Sequence, residues 1–277
     1  GYSEPNAGSD LANLGLRADL DGDEWVLNGQ KIWTSAGHLA DHIFTLARTD
    51  PDAPRHKGIS FLLVPMDQPG VEVRPIKMIS GESEFNEVFY TDARCPKENV
   101  VGGINNGWAV AMSLLGFERG EAAATAPIHY EGEVQRLIAL AKEKGLADDP
   151  VIRQRLAWAY GQVQIMRYNG MRVLTQFLQG HHPGPDAAIS KLYWSEYHQL
   201  VTELAIDILG PDAMVPEGRH PSSSFSTDDA GAPNSSMSWA STFLNARAGT
   251  IYAGSSQVQR NIIGEMVLGL PKEPRPK

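Results

Sequence analysis

Gln30-Lys31-Ile32-Trp33-Thr34-Ser35-Ala36-Gly37 decides how this chain is read. It follows a strand-like run, Glu24-Trp25-Val26-Leu27, and the turn dipeptide Asn28-Gly29, so it reads as the return strand of a hairpin. Strict alternation then places Lys31, Trp33 and Ser35 on one face, with Ile32 and Thr34 on the other. One face offers a large aromatic plane two residues from a small hydroxyl. A flat heteroaromatic ligand can use both, the ring for packing and the hydroxyl for a hydrogen bond. The competing reading is a tryptophan half-buried in a sheet, which is how most strand tryptophans sit.

Working outward, residues 1 to about 102 read as β. Strand candidates are Leu16–Leu20, Trp25–Leu27, Ile43–Ala47, Ile59–Val64, Val71–Val73 and Glu87–Tyr90, punctuated by Asp21-Gly22, Asn28-Gly29 and Pro69-Gly70. Many short strands at close spacing predict a small barrel or sandwich rather than βαβ units. From Asn105 the period becomes helical. One segment runs to about Lys144, and Pro127 is expected to break or kink it. Asp149-Pro150 is a helix start, an N-cap followed by proline in the first turn. Its inward stripe is expected to be Ile152, Leu156, Ala159, Val163, Met166, Gly170, Leu174 and Phe177. A third helix is expected from about Asp186 to Leu209 with Ile189, Leu192, Leu200, Leu204 and Ile208 inward, then a long loop over 210–238. A last helix starts near Ser255-Ser256 and stops at Gly269-Leu270-Pro271. The predicted fold is therefore α+β: a β-barrel or sandwich domain over 1–102, then a four-helix bundle over 103–277.

Composition narrows the function. The 277 residues carry a formal net charge of -9, and nothing resembles a basic stripe for nucleic acid. No apolar run is long enough to span a bilayer, so neither a membrane nor a nucleic-acid partner is expected, and a cytoplasmic location is. A single cysteine, Cys95, excludes an internal disulfide and a cysteine-based metal cluster. No metal site is expected; His181-His182 lies in a Gly/Pro loop without ligand spacing. The chain begins Gly1-Tyr2-Ser3-Glu4-Pro5, without Met or a signal pattern, which reads as a fragment or processed form whose targeting is not legible.

Three further stretches could carry chemistry. The opening loop, Ser3 to Asp10, is polar and hinged by Pro5 and Gly8, and its amides with Ser9 suit a pyrophosphate; the plain alternative is a capped turn. Leu115-Gly116-Phe117-Glu118-Arg119-Gly120 sets a carboxylate in an apolar helix, where a dry pocket would make Glu118 a general base and plain solvent exposure would make it nothing. Tyr252-Ala253-Gly254-Ser255-Ser256-Gln257 precedes a helix with small residues that permit close backbone approach; the alternative is an ordinary cap.

Taken in order, Tyr-Ser-Glu-Pro-x-Ala-Gly-Ser-Asp, Asn-Gly-x-Lys-x-Trp-Thr-Ser, Phe-Glu-Arg and Ala-Gly-Ser-Ser-x-x-x-Arg-Asn-Ile-Ile-Gly-Glu resemble the acyl-CoA dehydrogenases. The resemblance covers the middle β-domain and the C-terminal helical domain, with the family's N-terminal helical domain absent from the sequence. It implies FAD as cofactor, contacted by Tyr2, Ser3, Gly8 and Ser9 of the opening loop. Trp33, Thr34 and Ser35 would meet the flavin ring, and Gly254, Ser255 and Gln257 the adenosine part. It implies acyl-CoA contacts at Ser9, Arg119 and Ala253. Many relatives carry a catalytic Glu where this chain has Ala253. A subgroup similar to isovaleryl-CoA dehydrogenase carries it immediately before the arginine, where this chain has Glu118. The implied reaction is α,β-dehydrogenation of an acyl-CoA thioester to the 2-enoyl-CoA, with electrons passed to an electron-transfer flavoprotein. The implied assembly is a homodimer or homotetramer, with a heteromer as the alternative. The family's Arg-x-x-Phe-Gly and Gln-x-x-Gly-Gly segments, which hold FAD across subunits, are replaced here by 143–149 and by Asp207-Ile208-Leu209-Gly210-Pro211. Three readings stay open: an active dehydrogenase, a non-catalytic partner subunit of a heteromeric relative, and a flavin oxidase or monooxygenase on the same fold.

Overall fold

The computed structural model describes residues 1–181, 187–215, 238–272 and 274, with the side chains of 118–122, 124 and 187 excepted. The chain divides into two compact units, Gly1–Leu115 and Gly116–Lys277.

The first unit is one seven-stranded sheet. Its strands are β1 (Arg17–Asp21), β2 (Glu24–Ser35), β3 (His42–Arg48), β4 (Ile59–Pro65), β5 (Val71–Pro75), β6 (Phe85–Pro96) and β7 (Val100–Val101). They lie in the order β5-β6-β2-β1-β3-β4-β7, antiparallel except where β1 meets β3. The two long strands, β2 and β6, let the sheet curl. At the curl, side chains bridge β4 to β6: the Gln68 side chain donates to Pro65 O (2.7 Å) and Arg94 O (2.8 Å) and accepts from Arg94 N (2.7 Å). Asn99 Nδ2 donates to Leu63 O at 2.9 Å. Inside the curl lie Leu16, Trp25, Leu27, Ile43, Leu62, Val64, Val88, Tyr90 and Cys95.

The hairpin is not where Asn28-Gly29 predicts it. The β1–β2 turn is the two-residue loop Gly22-Asp23, with Gly22 left-handed at φ +64°. Asn28 and Gly29 lie within a continuous β2, opposite a bulge in which Thr91 and Asp92 of β6 face Asn28 alone. Asn28 Nδ2 donates to Asp92 Oδ1 (2.9 Å), and its Oδ1 accepts from Asp92 N (3.0 Å). Gly29 is required by proximity, since a Cβ there would lie 3.0 Å from Leu16 Cα.

The unit boundary falls within α1 (Gly107–Glu143), which continues unbroken through Pro127. The second unit continues with α2 (Pro150–Leu178), α3 (Ala187–Leu209), α4 (Trp239–Ala246) and α5 (Ser256–Ile262). Asp149 caps α2, accepting from Val151 N and Ile152 N at 2.9 Å. Asp186 and most of the predicted 210–238 loop lie outside the described residues. α4 was not anticipated; Ser238 caps it and Trp239 enters the core with Val134, Leu137, Leu156, Val163, Tyr197, Val201 and Leu204. The predicted stripes drift by one residue. Val173 is buried while Leu174 and Phe177 are 46% and 54% exposed, and Val201 is buried while Leu200 is 50% exposed. A period of 3.6 moves the inward face around the helix over several turns, which a fixed three-four spacing misses.

Candidate functional site

On β2 the register to β6 slips a second time. Lys31 pairs with Val88 and Thr34 with Asn86, so Ile32 and Trp33 oppose Glu87 alone. This bulge breaks the alternation assumed from the sequence. Lys31 is fully buried, and Trp33 turns to the other side, 54% exposed and left-handed at φ +62°. The shared face for Lys31 and Trp33 is therefore corrected, as is the core reading of Trp33; the tryptophan in the core of the sheet is Trp25. Trp33 and Ser35 are both exposed, as the ligand reading requires. Only Phe85 braces the indole among the described aromatic rings, edge-on at 6.2 Å. Ala36 is also left-handed, at φ +51°. Such backbone in bulky or β-carbon-bearing residues costs about 1–3 kcal/mol each and clusters where function demands it. Between the two lies Thr34, whose Oγ1 is buried without a hydrogen-bond partner among the described residues.

The opening loop is fastened beside this bulge. Ile32 N donates to Ser3 O at 2.9 Å. Lys31 Nζ donates to Glu4 Oε1 (2.8 Å) and Tyr2 O (3.2 Å). The Glu4 carboxylate also accepts from Gly15 N (2.6 Å) and Leu16 N (2.9 Å). Burial pushes the Lys31 ammonium down to about 8, against the opposing pull of Glu4. Tyr2 packs edge-on to Phe44 at 5.1 Å. Gly8 and Ser9 are exposed at the loop tip, and Asp10 is held by Arg55. Glu4 and Lys31 drew no functional reading from the sequence, because charged residues in a loop and a strand default to solvated positions. The exposed indole, the surface Ser35 and the orphaned Thr34 hydroxyl fit a flat ring with polar edges.

In the helical unit, Ala253 (φ +52°) and Gly254 (φ +89°) are consecutive left-handed residues, Ala253 exposed. Ser255 caps α5, accepting from Val258 N at 3.3 Å, so its hydroxyl serves the helix. Gln257 is exposed. The residue missed here is Gln259. It is fully buried, and its Nε2 donates to Ala253 O (3.1 Å) and Gly254 O (3.4 Å). Because N–H and C=O point oppositely across a trans peptide, fixing both carbonyls turns the amides of Gly254 and Ser255 away from Gln259. The signal was present as a glutamine one helical turn inside a Gly-Ser start. α3 supports the same segment: Lys191 Nζ donates to Gly249 O at 2.7 Å, and Gln199 Nε2 to Thr250 Oγ1 at 3.0 Å.

Glu118 and Arg119 lie in the span of α1, and their side chains are outside the described residues. The segments that replace the expected cofactor-holding motifs form ion pairs within the chain, Asp207 with Arg155 at 2.6 Å and Asp212 with Lys144. Among the described residues no helix is long and apolar enough to cross a membrane.

Comparison with known proteins gives the arrangement a family. The acyl-CoA dehydrogenase IpdE1 of Mycobacterium tuberculosis is 46% identical over 274 residues, covering 99% of this chain and 66% of the relative. The chain thus spans just under two thirds of that relative's length. A solved steroid ACAD, Tcur3481-Tcur3483, superposes with a TM-score of 0.85 at 32% identity, covering 99% of this chain and 68% of that one. The ChsE4-ChsE5 complex from Mycobacterium tuberculosis gives 0.81 at 30% identity, covering 99% and 68%. Family models match twice, the acyl-CoA dehydrogenase middle domain over residues 1–93 and the C-terminal domain over 105–268. The curled sheet with its outward tryptophan and the helical unit with its left-handed Ala-Gly turn are those two domains, and the chain belongs to the acyl-CoA dehydrogenase family.

Proposed function

We propose that this chain carries the flavin and helical-bundle parts of an FAD-dependent acyl-CoA dehydrogenase that oxidises an acyl-CoA thioester to the 2-enoyl-CoA. The observation that carries the reading is Trp33, an indole held outward in a costly left-handed conformation beside an orphaned Thr34 hydroxyl. In this reading Trp33, Thr34 and Ser35 meet the flavin ring. Tyr2, Ser3, Gly8 and Ser9 line its phosphate side, and Gly254, Ser255 and Gln257 take the adenosine end. FAD held by these residues would supply a hydride acceptor for the substrate's β-hydrogen. Glu118 takes the α-proton onto its carboxylate, and Arg119 and Ser9 hold the acyl-CoA. The backbone amide of Ala253 steadies the charge that develops on the thioester oxygen. The electron acceptor in this reading would be an electron-transfer flavoprotein.

A second reading is favoured by particular observations. Ala253 has no carboxylate, Asp207 and Asp212 are engaged within the chain, and the ChsE4-ChsE5 relative is a complex of two named chains. In that reading the chain is one subunit of a heteromeric acyl-CoA dehydrogenase and completes its site with a partner. The test is the visible spectrum of the full-length protein, alone and then anaerobically with a panel of acyl-CoAs. One solved relative is a steroid ACAD, so steroid-derived thioesters belong in the panel. Yellow protein that bleaches supports the first reading. A colourless protein that gains flavin and activity only with a second acyl-CoA dehydrogenase chain supports the second. Oxygen consumption during turnover would favour an oxidase instead.

A further inference from the structure

We infer that the buried Glu4–Lys31 ion pair is the positioning device of the Trp33 face, clamping the opening loop to β2 and holding the bulge that turns the indole outward. The inference rests on the flavin reading for the ligand and on geometry for the rest. Lys31 has no exposed surface, and its Nζ reaches Glu4 Oε1 at 2.8 Å and Tyr2 O at 3.2 Å. Glu4 is fixed by Gly15 N on its other oxygen, Oε2, and by Leu16 N on the same Oε1 that Lys31 takes, so the pair ties the chain leaving the loop to the strand that carries Trp33. One residue later Ile32 N donates to Ser3 O, a third tie between the same two segments. These ties draw Lys31 inward at Val88, and the next ladder partner is Thr34 at Asn86. With alternation intact, residue 33 would follow residue 31 inward. The extra residue of the bulge is what sends Trp33 the other way.

A buried ion pair is poor value as plain support for a fold, because desolvating both charges offsets their attraction. A methionine at 31 would fill similar space without the charge. The structure keeps the pair where a loop and a strand must meet in one register next to a strained aromatic residue. That is the use for which buried charges are best attested, fixing one arrangement among alternatives.

The test uses the full chain labelled with 5-fluorotryptophan, the Trp33 resonance being assigned from Trp33→Phe. The decisive variant is the double Lys31→Met with Glu4→Gln, which removes both charges and leaves no ion unpaired. We expect a retained cooperative melt, a Trp33 resonance that shifts or broadens while that of core Trp25 stays in place, and FAD affinity lowered at least about tenfold through lost preorganisation. Lys31→Met alone should move the same resonance and also lower the melting temperature, because Glu4 is then left unpaired. An unmoved resonance with unchanged FAD affinity in the folded double variant overturns the inference. So does a double variant that cannot fold, since the pair would then support the fold and not the site. If the resonance moves but the wild type binds no FAD, the flavin reading falls and the positioning role stands.

Discussion

Trp33→Ala and Trp33→Gly, made side by side, isolate the strain at the end of β2. Both remove the indole, its partial burial and its edge contact with Phe85, so those losses cancel between them. What differs is a single Cβ at φ +62°. A β-carbon in the left-handed region costs roughly 1–2 kcal/mol. Glycine in turn loses about 0.5–1 kcal/mol more backbone entropy on folding than alanine. The glycine variant should therefore be more stable than the alanine variant by about 1 kcal/mol. In an ordinary extended strand the order reverses, so the sign is diagnostic. Urea unfolding of both variants, compared by midpoint at equal slope, reads the difference. Alanine equal to or above glycine would refute the left-handed placement, and with it the account of how the indole reaches solvent. Both variants should bind FAD weakly or show a shifted flavin spectrum. Full occupancy with an unchanged spectrum would remove Trp33 from the site.

Glu118→Gln keeps shape but cannot accept a proton, so flavin reduction by substrate should slow by roughly 10²–10⁴ while FAD stays bound. Adding Ala253→Glu should restore part of the rate, and near-normal reduction in the single variant would reassign the base. Lys31 supplies a pH dependence of definite sign. Its folded value, about 8, lies below its ordinary 10.5, so the unfolded chain binds more protons between these values. Below about 8 both states are charged and the full cost of burial is present; above 10.5 it is gone. The stability of the wild type relative to Lys31→Met should thus rise between about pH 8 and pH 10.5, by up to ~3 kcal/mol. A flat or falling difference in urea midpoints would contradict it. Gln259→Leu leaves the carbonyls of Ala253 and Gly254 without their donor, at a cost of about 1–3 kcal/mol. Faster hydrogen exchange confined to α5 and the preceding turn is the expected readout, and unchanged exchange there would count against the clamp.

The order of β and helical segments was legible because the hydrophobic period changes from two to 3.6 near Asn105, and the caps at Asp149 and Ser255 are local signals. The candidate site was proposed from motifs, and its geometry was illegible in them. Asn28-Gly29 carries the composition of a hairpin turn, yet its residues serve a bulge set by β6, distant in sequence, and a close approach to Leu16 just before the neighbouring strand. The alternation through Lys31 and Trp33 failed for the same reason, since a bulge is fixed by register against β6 and by the loop tie at Ser3. α4 was hidden by its eight-residue length beside a long polar stretch. Gln259 was passed over because a buried amide is recognisable only from the carbonyls it reaches.

The pairing of β2 with β6 has a consequence in time as well as in space. Glu24 lies opposite Pro96 and Ser35 opposite Phe85, so the strand bearing Trp33 acquires one neighbour, β1, almost at once and the other only after most of the unit has been made. Closing that interval is entropically slow compared with forming the β1–β2 hairpin. Until residues 85–96 arrive, β2 is an open edge twelve residues long, the kind of surface on which a nascent chain pairs with the wrong partner. A variant that weakens β6 would accordingly show itself first in the yield of folded protein during synthesis, before any change in the equilibrium stability of what does fold.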